Sequence, residues 1–256
     1  MNERPDSVVC DLDGVVYRGG VQVPGAGAAL SEMRAAGIGL VFVTNNATKS
    51  PAEAADKIRR LTGFDAHERD VVTSAEAAAH LVAGEAPPTL LFGAAGARAP
   101  LERAGVPIVS DWRQAEVVIA GLDLQLSYES LTQAVMAVNA GARLIATNTD
   151  ATYPTPEGLW PGAGALVAAV EAATGVTAEV AGKPHAAIRS LLHDRLLGQR
   201  VAVIGDRPET DLALGTAEGW ITILVLSGVT AAPEGANPRP DLVADSIADV
   251  PALLGI

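Results

Sequence analysis

Val8-Val9-Cys10-Asp11-Leu12-Asp13-Gly14-Val15-Val16-Tyr17 is an apolar run that stops at two carboxylates one residue apart, followed by a glycine. The run reads as a buried strand. Acids at the end of such a strand cost free energy unless a cation compensates them. The carboxyl ends of the strands are also where open α/β sheets bind ligands. Along an extended chain Asp11 and Asp13 share one side, with Leu12 opposite. The pair suits a nucleophile with its acid/base helper, a metal cradle, or both. The competing reading is an Asp-Gly hairpin turn, but Val15 to Gly19 does not alternate as a returning strand should.

Downstream, Ala28, Ala29, Leu30, Met33 and Ala36 recur at helical spacing and stop at Gly37. Ile38 to Val43 is a near-continuous apolar strand, of the kind covered on both faces. Strand, helix, strand in this order is a parallel βαβ unit. The second strand ends in Thr44-Asn45-Asn46. Ser50-Pro51-Ala52-Glu53 then opens a helix with an N-cap, a first-turn proline and a capping-box acid, and that helix runs to about Thr62. Thr44, Asn45 and Asn46 therefore share the sheet edge of Asp11 and Asp13.

From about Ser74 the texture changes. Short strands at Leu90–Phe92, Val117–Ala120 and Leu144–Ala146 alternate with helical segments, among them Tyr128–Asn139, capped by Ser127 and stopped near Gly141. Asn148 to Gly162 reads as a long loop, the kind usually kept for function. Tyr153 and Trp160 within it each suit a site wall or an ordinary packing anchor, and burial is the commoner fate of an apolar aromatic such as Trp160. The last third returns to the opening style, with strands at Val201–Ile204, Ile221–Leu226 and Leu242–Ala244. Gly205-Asp206-Arg207-Pro208-Glu209-Thr210-Asp211 leads from the first of these into a helix.

The totals narrow the class. A chain of 256 residues, 49% apolar, can bury a substantial core. A net charge of −12 disfavours nucleic acid or an anionic membrane surface as partner, and no apolar run reaches membrane-span length. The one cysteine, Cys10, rules out an internal disulfide and suits a reducing, cytoplasmic setting. Lying within the first strand, it reads as a core residue.

Four features sit at strand ends or beside them: Asp11 with Asp13, Thr44 with Asn45, Lys183 in Gly182-Lys183-Pro184-His185, and Asp206 with Asp211. Singly each has an ordinary explanation, as turn former, surface lysine or helix cap. In this order they resemble the four motifs of the haloacid dehalogenase-like hydrolases. The likeness is to the p-nitrophenyl phosphatase-like and phosphoglycolate phosphatase-like branch, and Ala151 to Gly164 matches it too. The resemblance implies a Rossmann-like parallel-sheet core over residues 1–78 and 179–256. Residues 79–178 would form an inserted α/β cap that selects the substrate and can carry a homodimer contact.

It further implies a phosphomonoesterase acting on a small soluble phosphate. Asp11 would attack phosphorus and form an acyl phosphate. Asp13 would protonate the leaving group and then take a proton from water. Mg2+ would be held by the Asp11 carboxylate, the Asp13 carbonyl and Asp206, with Asp211 in support. Lys183, Thr44, Asn45 and Asn46 would bind the phosphoryl group, Tyr153 would touch substrate, and His185 would support Lys183. A phosphotransferase or phosphomutase, and a catalytically silent phosphate-binding module, are the rival readings.

Overall fold

A computed structural model describes residues 4–155 and 157–256. In chain order the elements are β1 (Ser7–Asp11), β2 (Tyr17–Arg18), β3 (Val21–Gln22), α1 (Ala26–Ala35), β4 (Gly39–Thr44), α2 (Pro51–Thr62), β5 (Val71–Thr73), α3 (Ser74–His80), β6 (Thr89–Phe92), α4 (Arg98–Arg103), β7 (Ile108–Val109) and β8 (Val117–Ala120). They continue with α5 (Tyr128–Asn139), β9 (Arg143–Ala146), β10 (Thr152–Thr155), β11 (Gly158–Pro161), α6 (Ala163–Thr174), β12 (Glu179–Val180), α7 (Ala186–His193), β13 (Val201–Gly205), α8 (Ala213–Glu218), β14 (Ile221–Val225), β15 (Leu242–Ala244) and α9 (Val250–Leu253). The chain is α/β, divided into two compact units: residues 1–44, 52–72 and 189–256 form one, and 45–51 with 73–188 the other.

The first unit is built on a sheet of order β15-β14-β13-β1-β4-β5. β1 lies parallel between β13 and β4. Val8, Val9 and Cys10 are fully buried, as a central strand covered on both faces requires. Leu12, Leu30, Met33, Phe42, Ile58 and Ile204 join Val8 and Cys10 in one apolar core. Each such Leu, Ile or Met stabilises by about 1.5–3 kcal/mol through removal from water. Asp11 pairs with Val43 and Cys10 with Ile204. That register sets Asp11 one residue short of the level of Thr44, and one short of Asp206.

The second unit has an all-parallel sheet, β12-β9-β8-β6-β7. α5 and α6 pack on it through Ala134, Val138, Leu166, Val167 and Val170. The Ser127 hydroxyl accepts a hydrogen bond from Ser130 N and caps α5 where the sequence places the cap. β12 pairs with β9, Glu179 beside Ile145 and Val180 beside Ala146. The segment from 179 onward is thereby tied to this sheet, and the contact boundaries fall at 72/73 and 188/189, against 78/79 and 178/179 in the sequence reading.

Two local expectations are corrected. Asn148 to Gly162 is not a loop throughout: β10 and β11 form an antiparallel hairpin with Tyr153 opposite Trp160. Pro154 and Pro161 stand on this two-stranded ribbon, where each strand has an open edge that demands no N–H. Trp160 is not buried but 45% exposed. Asp13-Gly14, in contrast, is not a hairpin onto β1, whose neighbours β13 and β4 both run parallel to it; the short β2–β3 ribbon turns at Gly19-Gly20 instead. Among the described residues no helix is long and apolar enough to cross a membrane.

Candidate active site

In the first unit the carboxylates of Asp11, Asp206 and Asp211 converge, with one oxygen from each lying within 4.8 Å of the others. Asp206 and Asp211 are 1% exposed and Asp11 6%. The fold builds this cluster by local rules. β1 and β13 are adjacent parallel strands, so their carboxyl ends coincide. A π-helical turn at Pro208–Leu212 follows β13 and brings Asp211 back over it, a distortion that recurs at functional sites. The Asp211 carboxylate accepts hydrogen bonds from Asp206 N at 3.1 Å and Arg207 N at 3.0 Å. Gly205 makes room for it, since a Cβ there would sit 2.1 Å from Asp211 Cβ.

Asp206 is held as tightly. Its Oδ2 accepts a hydrogen bond from Val229 N at 2.6 Å, and a Cβ on Gly228 would stand 1.9 Å from that oxygen. A Cβ on Gly14 would stand 2.5 Å from it, and Gly14 also has φ +98°, a conformation that glycine alone adopts without strain. Ser227 Oγ donates to Gly14 O at 2.7 Å and ties the two loops together. Gly228 carries little signal in the sequence, only a Ser-Gly pair directly after an apolar strand.

Three buried carboxylates this close repel one another and need a cation. Their hard oxygens suit Mg2+ or Ca2+ rather than a thiophilic metal. The backbone donors and close-packed glycines fix the two aspartates of the β13 end rigidly, as a preformed metal site requires. Thr44, 4% exposed, ends β4 at the same sheet edge.

Asp13 lies just past β1, in a turn where Gly14 N donates to Tyr17 O at 2.8 Å. Asp13 Oδ1 is 3.9 Å from Lys57 Nζ, on α2, and that ammonium lies 3.6 Å from the centroid of the Tyr17 ring. Lys57 too is absent from the sequence reading. On an amphipathic helix among Arg59 and Arg60 it carries no local mark.

Asn45 and Lys183 come together in the second unit. Asn45 Oδ1 accepts from Lys183 N at 2.8 Å, and Asn45 Nδ2 donates to Lys183 O and Asp150 Oδ2 at 3.4 Å each. The Asn45 carbonyl accepts from Ser74 Oγ at 2.7 Å and Asn148 Nδ2 at 2.6 Å. Gly182 must lack a side chain here, because its Cβ would lie 2.6 Å from Asn45 Oδ1. Lys183 is 4% exposed. Asn46 Oδ1 accepts from Thr48 N and Oγ1 and closes its own loop. Tyr153 stands on β10, and His185 N closes a turn onto Gly182 O at 2.9 Å.

Residues 8–107 match the family described as haloacid dehalogenase-like hydrolase, and residues 180–250 match a second, HAD-hydrolase-like description. The D-glycerol 3-phosphate phosphatase of Mycobacterium tuberculosis is 37% identical over 242 residues, 93% of this chain and 67% of the relative. The glycerol phosphate phosphatase structure from the same organism, in complex with magnesium, superposes with a TM-score of 0.87 at 35% identity, covering 95% of this chain and 75% of that one. p-Nitrophenyl phosphatase from Archaeoglobus fulgidus gives 0.88 at 30% identity over 98% and 99% of the two chains. With its strand-end carboxylates and these relatives, the chain belongs to the haloacid dehalogenase-like hydrolases.

Proposed function

We propose that this protein is a Mg2+-dependent phosphomonoesterase of small phosphate esters, working through an aspartyl phosphate on Asp11. The observation that carries the proposal is the convergence of Asp11, Asp206 and Asp211 within 4.8 Å at buried strand ends. The relatives named as phosphatases, one of them described with magnesium, support it. Bound there, the divalent cation offsets the charge of the carboxylates and of the incoming phosphate.

The chain's own residues do the rest. A carboxylate oxygen of Asp11 attacks phosphorus while the ester oxygen departs and takes a proton from Asp13. Asp13, now ionised, accepts a proton from the water that attacks the acyl phosphate, which frees inorganic phosphate and restores both acids. The Thr44 hydroxyl and the following amides donate to the phosphoryl oxygens, and Lys183 neutralises them. Asn45 serves this set by holding the Lys183 backbone on both sides, at N and O. The second unit takes the role of the specificity-bearing cap, and Tyr153 that of a substrate contact. The buried, lone Cys10 accords with a cytoplasmic protein.

The test is phosphate release, with and without Mg2+, across p-nitrophenyl phosphate, glycerol phosphate, sugar phosphates, phosphoglycolate, pyridoxal phosphate and nucleoside monophosphates. Wild type should turn over with metal alone among additives, and Asp11→Asn should fall to background. Turnover retained by Asp11→Asn, or unaffected by chelation, refutes the proposal.

A further inference from the structure

Lys57 is only 14% exposed at its side chain, unusual for a lysine on a surface helix. Its neighbours Asp56, Arg59 and Arg60 face solvent. Its contacts include the face of Tyr17 at 3.6 Å and Asp13 Oδ1 at 3.9 Å. A cation over an aromatic face is held electrostatically, and more strongly when desolvated. Tyr17 is itself fixed. It is 3% exposed, its N–H donates to Leu12 O at 3.2 Å and its carbonyl accepts from Gly14 N at 2.8 Å. Asp13 and Tyr17 are thus the two ends of one closed turn, joined also by a β-bridge. Lys57 reaches that turn from a separate helix and touches both ends. At 3.9 Å the charge contact is longer than a hydrogen bond, so it steers the Asp13 carboxyl without bonding to it directly.

From this arrangement we infer that Lys57 is a positioning residue for proton transfer: clamped on Tyr17, it sets the side-chain direction from which Asp13 reaches the ester oxygen. The inference rests on the reading of Asp13 as the proton carrier. Lys57 neither gives nor takes the proton, which passes from the Asp13 carboxyl to the ester oxygen as the P–O bond breaks and the Asp11–phosphorus bond forms.

Leaving-group chemistry separates this role from simple support of the fold. p-Nitrophenolate departs as a weakly basic anion and needs little protonation, whereas an alkoxide needs it badly. Wild type, Lys57→Met, Lys57→Arg, Asp13→Asn and the Lys57→Met/Asp13→Asn double variant are assayed with Mg2+ on p-nitrophenyl phosphate and on the best alkyl phosphate of the panel. Circular dichroism and melting are recorded for each. Asp13→Asn should lose more kcat on the alkyl ester than on the aryl ester. Lys57→Met should do the same, with a selective loss of about 10-fold, a modest share of what a general acid supplies, and little change in KM. Lys57→Arg should recover most of it, and in the double variant Lys57→Met should add no further selectivity.

Equal losses on both esters, a change confined to KM, or selectivity that persists additively in the double variant would overturn the inference. So would a Lys57→Met variant that folds and matches wild type on both esters. If Asp13→Asn itself shows no leaving-group selectivity, the assignment of Asp13 falls, and the role of Lys57 with it.

Discussion

Replacing Asp11 with asparagine should stabilise the metal-free protein while abolishing its activity. Its carboxylate lies within 4.8 Å of those of Asp206 and Asp211. At that separation and an effective dielectric of about 20, each pair repels by about 3 kcal/mol. Asparagine has nearly the same shape and removes two such pairs, a gross relief of about 6 kcal/mol by the same reckoning. Against this stand the weaker hydrogen bonds an amide accepts, a loss of about 1–3 kcal/mol. The balance favours the variant by about 3–5 kcal/mol, which at about 2–4 °C per kcal/mol for a chain of this size raises the melting temperature by roughly 6–20 °C.

Mg2+ should reverse the comparison. A ligand at a hundred times its dissociation constant stabilises by about 2.7 kcal/mol, and the variant, short of one carboxylate, should collect far less. The assay is thermal unfolding of both proteins in chelator and across a Mg2+ titration. A metal-free variant that melts at or below wild type, or one whose Mg2+ increment equals that of wild type, refutes the claim that these three acids form a repulsive, cation-requiring site.

Two further outcomes follow from the geometry. Gly228→Ala puts a methyl group 1.9 Å from Asp206 Oδ2 and must push that carboxylate aside; the Mg2+ concentration for half-maximal phosphate release should rise about 10–100-fold, as for lost outer support of a metal ligand, and an unchanged value counts against Asp206 as ligand. Far from the site, the hydrogen bond from the Arg200 side chain, with backbone donors at Arg200 and Gln199, lowers the Asp6 pKa to about 2. Because the folded value is depressed below 3.8, the stabilisation is complete above that pH and disappears as pH falls toward 2. Asp6→Asn should therefore lower the urea midpoint at pH 7, and the gap to wild type should close near pH 2; a gap that stays constant with pH contradicts the linkage.

What could be read from the sequence follows from how local each signal is. α2 starts at Pro51 and α5 spans Tyr128–Asn139 as expected, because caps, periodicity and stop glycines act within a few residues. The strand-end acids are legible for the same reason, and the parallel register then brings Asp11 and Asp206 to one edge. The pairing of β12 with β9 rests on two residues, too few for any period to show. The hairpin around Tyr153 hides behind prolines that normally mark loops. Least visible are partnerships across long stretches of chain. Nothing near Asn45 announces that its side chain will hold the backbone of Lys183, 138 positions away. Nothing near Lys57 points to Tyr17 or Asp13.

The strand pairing at 179–180 bears on how such proteins are recombined. A chimaera cut at 78/79 and 178/179 would part β12 from its partner β9 and leave Asn45 in a host lacking its Asn148 and Asp150. The transplantable module is discontinuous: 73–188 must travel with the seven-residue segment 45–51, which clusters with it. Grafts meant to exchange substrate preference between relatives should carry both pieces, so that the lysine loop arrives with the asparagine that fastens it.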